Sequence, residues 1–73
     1  MNLFEIEFCE KWNYHPEFDR VSKQIKMNYS DVKIVGNSSP PRTGAFEVTF
    51  NNELIFSKFQ KNRFPTKDEI SKW

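Results

Sequence analysis

From Leu3 to Phe8 apolar and polar side chains alternate, with Phe4, Ile6 and Phe8 on one side and Leu3, Glu5 and Glu7 on the other. Period-two alternation of this kind predicts a half-buried strand. Residues 16–29 change period. Pro16 suits the first position of a helix, Glu17 and Asp19 suit its positive end, and Phe18, Val21, Ile25 and Tyr29 recur at helical spacing. Val32–Val35 reads as a short strand closed by Gly36, and residues 37–43 read as a loop. Alternation returns from Gly44 to Phe50, with Phe46, Val48 and Phe50 facing one way and Ala45, Glu47 and Thr49 the other. Asn51-Asn52 supplies a two-residue hairpin turn, and Leu54–Phe59 is its return strand. After Pro65, the run Thr66-Lys67-Asp68-Glu69 has the form of a capping box opening a helix that carries Ile70 and Trp73.

The order is strand, helix, strand, strand, strand, helix. A right-handed strand–helix–strand crossover followed by an antiparallel hairpin fits one four-stranded mixed sheet. Glu and Thr on one face of the strands put both helices on the other face. The expectation is a single α/β domain over residues 1–73, of thioredoxin-like type.

Composition narrows the function. The 73 residues are 37% hydrophobic, and the eight Phe, two Trp and two Tyr make up 16% of the chain. An aromatic-rich core is an effective way to stabilise so small a fold, because each ring buries roughly 150–250 Å². A single Cys excludes an internal disulfide framework and a Cys-based zinc site, and a single His excludes most His-based ones, so no metal is expected. No apolar run approaches the ~20 residues of a membrane span, and Met1–Glu5 lacks a signal-peptide pattern; a cytoplasmic location is the expectation.

The formal net charge of +1 is unevenly spread. Residues 1–19 hold five acids and one Lys, residues 20–46 five bases and one acid, and residues 58–67 four bases. Near-neutrality overall disfavours a dedicated nucleic-acid binder. Lys58-Phe59-Gln60-Lys61-Asn62-Arg63-Phe64 does interleave bases with aromatics, as single-strand-binding surfaces do. The plainer reading is a solvated strand end and loop with both Phe turned inward.

Cys9 is the one reactive candidate, and the plainer reading of a lone cysteine is a small buried hydrophobic side chain. It falls at the carboxyl end of the first strand, ahead of the first helix, where ligands and reactive groups gather in open α/β sheets. A helix N-terminus and Lys11 favour a thiolate there, while Glu10 opposes it. His15 could act as a base or donor to the thiol, and Trp12 and Tyr14 would flank it on an exposed loop as a protein-contact spot.

The stretch Ile6-Glu7-Phe8-Cys9-Glu10-Lys11-Trp12-Asn13-Tyr14-His15-Pro16 resembles the start of the selenoprotein W (Rdx) family. In that family a strand leads into Cys-x-x-selenocysteine or Cys-x-x-Cys, then an aromatic and a Pro before a helix. Thr43-Gly44-Ala45-Phe46-Glu47-Val48, Leu54-Ile55-Phe56-Ser57-Lys58 and Phe64-Pro65 resemble further family segments in the same order. Pro41-Arg42 is similar to the selenoprotein H branch. The resemblance runs from about Leu3 to Trp73. It implies a small thioredoxin-like redox protein, with Cys9 and position 12 as the redox pair, Thr43 and Gly44 on the loop facing them, and glutathione or protein thiols as partners.

Trp12 departs from that pattern, since a dithiol cycle needs two chalcogens. Three explanations stand. The pair has been lost and the fold kept as a non-catalytic binding module or small subunit; Cys9 works alone through mixed disulfides; or position 12 is a UGA codon that encodes selenocysteine natively. The final helix also looks shorter than in relatives, which invites a partner or dimer over the sheet.

Overall fold

The computed structural model describes residues 2–73. Four strands form one sheet in the order β2-β1-β3-β4: β1 (Asn2–Phe8), β2 (Val32–Gly36), β3 (Phe46–Phe50) and β4 (Glu53–Ser57). The helix α1 (His15–Asn28) carries the crossover from β1 to β2, which run parallel, as a connection through a helix permits. β3 pairs antiparallel with β1, setting Phe4 opposite Phe50, Ile6 opposite Val48 and Phe8 opposite Phe46. The three pairs bring the apolar faces of β1 and β3 into one layer.

Against that layer pack Val21 and Ile25 of α1, Phe56 of β4 and Ile70 of the last helix, α3 (Lys67–Ser71). Both long-range helices therefore cover the same face. Phe4, Val21, Phe46 and Val48 are fully buried. Their rings interlock rather than stack flat: Phe4 meets Phe50 at 4.7 Å and 52°, and Phe46 meets Phe64 edge-on at 5.4 Å.

The expected mixed α/β sheet is present, with differences at the ends of its elements. α1 begins one residue earlier, at His15, and Tyr29 is its extended C-cap rather than its last turn. The strand expected over Gly44–Phe50 starts at Phe46, because Gly44 and Ala45 belong to the preceding turn. The strand expected over Leu54–Phe59 stops at Ser57, and Lys58–Lys61 forms an extra short helix, α2. That helix is capped from two directions. The Ser57 hydroxyl accepts from the Gln60 amide at 3.3 Å, and the Glu47 carboxylate accepts from the Lys58 amide at 2.9 Å. As a result Phe59 is not in the core. It is 47% exposed, under the Arg42 guanidinium 4.9 Å from its ring centroid.

The hairpin turn and the last helix follow their sequence signals. Asn51 and Asn52 both take positive φ, 49° and 72°, as a twisted two-residue turn requires. Thr66 and Glu69 form a complete capping box. No helix among the described residues is long and apolar enough to cross a membrane.

Candidate functional site

β1 delivers Cys9 to the edge of the sheet, where its amide still donates to the Ala45 carbonyl at 2.9 Å. The chain then folds back in a tight turn. Asn13 at φ 56° lets the Tyr14 amide reach the Cys9 carbonyl at 2.9 Å, and α1 begins at once. The turn lays the Trp12 backbone over the sulfur, and the Trp12 N–H donates to Cys9 Sγ at 3.3 Å. Cys9 is only 1% exposed and is a free thiol, so it is the small buried side chain of the plainer reading, and the exposed part of the turn carries Trp12. The burial has a local cause: the reversal at Asn13 closes the turn on the sulfur and leaves Trp12 outside.

Trp12 is 56% exposed and bounds the site. Its ring lies against Gly44, where a Cβ would come within 2.9 Å of the indole. Gly44 also has φ +81°, a backbone conformation that favours glycine, and a side chain there would push the indole aside. Thr43 beside it is exposed. Tyr14 is half-buried between Trp12, at 6.2 Å, and Phe64, at 4.8 Å. His15 is turned away from the thiol: its Nδ1 pairs with Asp19 at 3.2 Å and its ring packs on Phe8 and Phe18. Lys11 is exposed on the turn. The structure thus gathers Cys9, Trp12, Tyr14 and Gly44 and leaves His15 outside.

Three residues that carried no chemistry in the sequence reading hold the site's surroundings. Asn37 lies across from the end of β1. Its Oδ1 accepts from the Phe8 amide at 2.8 Å, and its Nδ2 donates to the Phe8 carbonyl at 3.0 Å. Glu7 and Arg42 form a forked pair, Nε and Nη2 each donating at 3.0 Å while the Arg42 amide donates at 2.8 Å. The Arg42 hydrogen bond holds the Glu7 carboxyl below its ordinary range, against the opposing effect of burial. Glu5, Glu7, Arg42 and Glu47 line a cleft of about 530 Å³ on the sheet face that the helices leave open. The signal for these residues was present only as spacing, because each partner lies 11 to 35 positions away along the chain.

A sheet ordered β2-β1-β3-β4, with helices on one face and a buried cysteine where β1 meets α1, defines a thioredoxin-like α/β domain. The Rdx family model matches residues 4–73, and the chain belongs to that family. Among relatives, Migration and invasion enhancer 1 of Bos taurus is 29% identical over 65 residues, which is 89% of this chain and 55% of that protein. Selenoprotein W of Danio rerio is 27% identical over 64 residues, covering 86% of this chain and 74% of that protein. The chain thus spans about half the length of the first of these relatives and three quarters of the second. A crystal structure of a selenoprotein W-related protein from Vibrio cholerae superposes with a TM-score of 0.82 at 23% identity, over 97% of this chain and 89% of that one.

Proposed function

We propose that the domain serves thiol-based redox regulation through Cys9 as a guarded single thiol. Membership of the Rdx family supports a redox-related role, and one observation carries the finer reading: the Trp12 N–H points at Cys9 Sγ from 3.3 Å. That donor fixes the sulfur in one orientation beneath the turn, where the strand gives way to the helix. In the proposed step the Cys9 thiolate attacks oxidised glutathione. A Cys9–glutathione disulfide forms, the glutathione S–S bond breaks, and one glutathione thiolate leaves. A second thiol is needed to reverse the step, and it comes from solution or from a partner because position 12 holds Trp.

Access is the limiting factor, since the turn over residues 10–13 must open first. The test is intact mass after incubation with oxidised glutathione. The expected result is one adduct at Cys9, formed slowly in the wild type and about tenfold faster in Trp12→Ala. A Cys9 that stays unmodified in folded Trp12→Ala overturns the reading.

The burial of Cys9 beneath an exposed Trp12 favours a second reading, a non-catalytic binding module. It expects Cys9→Ser to leave cellular function intact, while Trp12→Ala and Tyr14→Ala lose partner capture in a pull-down.

A further inference from the structure

The aromatic cap of the site continues into a cationic strip. From Trp12 the rings pass through Tyr14 to Phe64, and Lys58 Nζ sits 5.4 Å from the Tyr14 centroid and 5.7 Å from that of Phe64. Lys61 follows Lys58 by one turn of α2, and Phe59 lies exposed under Arg42 on the same helix. Lys11 stands on the turn beside Trp12.

Nearby acids are already engaged. Glu47 caps α2, Glu7 holds Arg42, Glu69 holds Arg63, and Glu10 accepts from Asn37. Lys11, Lys58 and Lys61 have no carboxylate within ion-pair distance among the described residues. The three ammonium groups are therefore free to meet a carboxylate from outside, while two exposed rings, Trp12 and Phe59, supply apolar contact area.

We infer that this strip docks an acidic peptide segment of a protein partner, one with an aromatic or aliphatic residue between carboxylates. The inference deepens the reading of the Trp12 turn as the presented surface of the site, and rests on it. Carboxylates meet Lys11, Lys58 and Lys61, and the apolar residue packs on Trp12 and Phe59. Exposed aromatics framed by charge are the usual anchors of protein contacts. A nucleic acid fits less well. The strip is short and the molecule is near neutral, whereas a surface that tracks a phosphate backbone is long and basic overall.

The test uses the full chain carrying Trp73→Phe, so that Trp12 is the remaining indole. Its emission is titrated with a peptide of about ten glutamates interrupted by Phe and Leu, with the matching lysine peptide, and with oligo-dT of similar length. The expected result is saturable binding of the glutamate peptide alone, weakened about tenfold or more by raising salt from 0.05 to ~0.5 M. Lys58→Ala with Lys61→Ala should weaken it at least about tenfold, and Lys33→Ala on the far strand should not. Modification of Cys9 by oxidised glutathione is followed in parallel by intact mass on the same protein, which separates this inference from the redox step. Binding of neither peptide, preference for oligo-dT, or insensitivity to the two lysines overturns it. If glutathione modifies Cys9 while no peptide binds, the thiol reading stands and this inference falls.

Discussion

Asparagine occupies five of the six positive-φ positions among the described residues: Asn13, Asn37, Asn51, Asn52 and Asn62, with Gly44 the sixth. Its short polar side chain tolerates the left-handed region better than other non-glycine residues do. The five are not equivalent. Asn52 ends a solvent-exposed turn and has only its backbone conformation to contribute, whereas Asn37 makes two hydrogen bonds to Phe8. Asn52→Gly should therefore change stability by less than ~0.5 kcal/mol. Asn37→Gly, equally relaxed in its backbone, should cost about 1–3 kcal/mol, because the half-buried Phe8 amide and carbonyl lose their partners. Urea unfolding of both variants checks the contrast. The turn residues of the hairpin were legible as a dipeptide, but the role of Asn37 was not, since it depends on a strand 29 positions away.

Among the elements, α3 and α2 show what a sequence discloses. The capping box of α3 is local, so Thr66 and Glu69 announced it. The N-terminus of α2 depends on Glu47, from the neighbouring strand, and the run Ser57-Lys58-Phe59 by itself continues the strand pattern. A distant carboxylate, added to the local Ser57 cap, thus converted the end of a predicted strand into a helix. The cap of α3 also has a pH signature. The Arg63 hydrogen bonds, then the Thr66 amide, lower the Glu69 carboxyl from 4.5 to about 2. A carboxyl depressed in the folded state stabilises above its unfolded value, and that contribution is lost as pH falls toward the folded one. The stability difference between wild type and Glu69→Gln should accordingly be constant near neutrality and shrink between about pH 4.5 and 2. High salt should reduce it at every pH, because the pair is partly exposed. A difference that persists at pH 2 would contradict this assignment.

At the scale of the molecule, the fold class and the core were readable because alternation in β1 and β3 states which face is apolar. The burial of Cys9 is what a lone cysteine usually shows, but what covers it was not readable, since the cover results from a backbone reversal at Asn13 rather than from any pattern of side chains. α3 has one fully buried side chain, Ile70, in contact with the core, and α1 and α3 meet over it. Ile70→Ala should cost about 2–5 kcal/mol, a large part of the stability of so small a domain, and should lower the thermal midpoint by well over ten degrees. A shift of only a degree or two would mean that α3 is not part of the core. The position of β1 has a further consequence. It is hydrogen-bonded on both sides, to Val32–Gly36 and to Phe46–Phe50. During synthesis the segment that becomes the centre of the sheet leaves the ribosome before either neighbour exists. Phe4, Ile6 and Phe8 therefore lack their full set of neighbours until the chain has been made through Phe50, which makes β1 the segment open longest to wrong pairing.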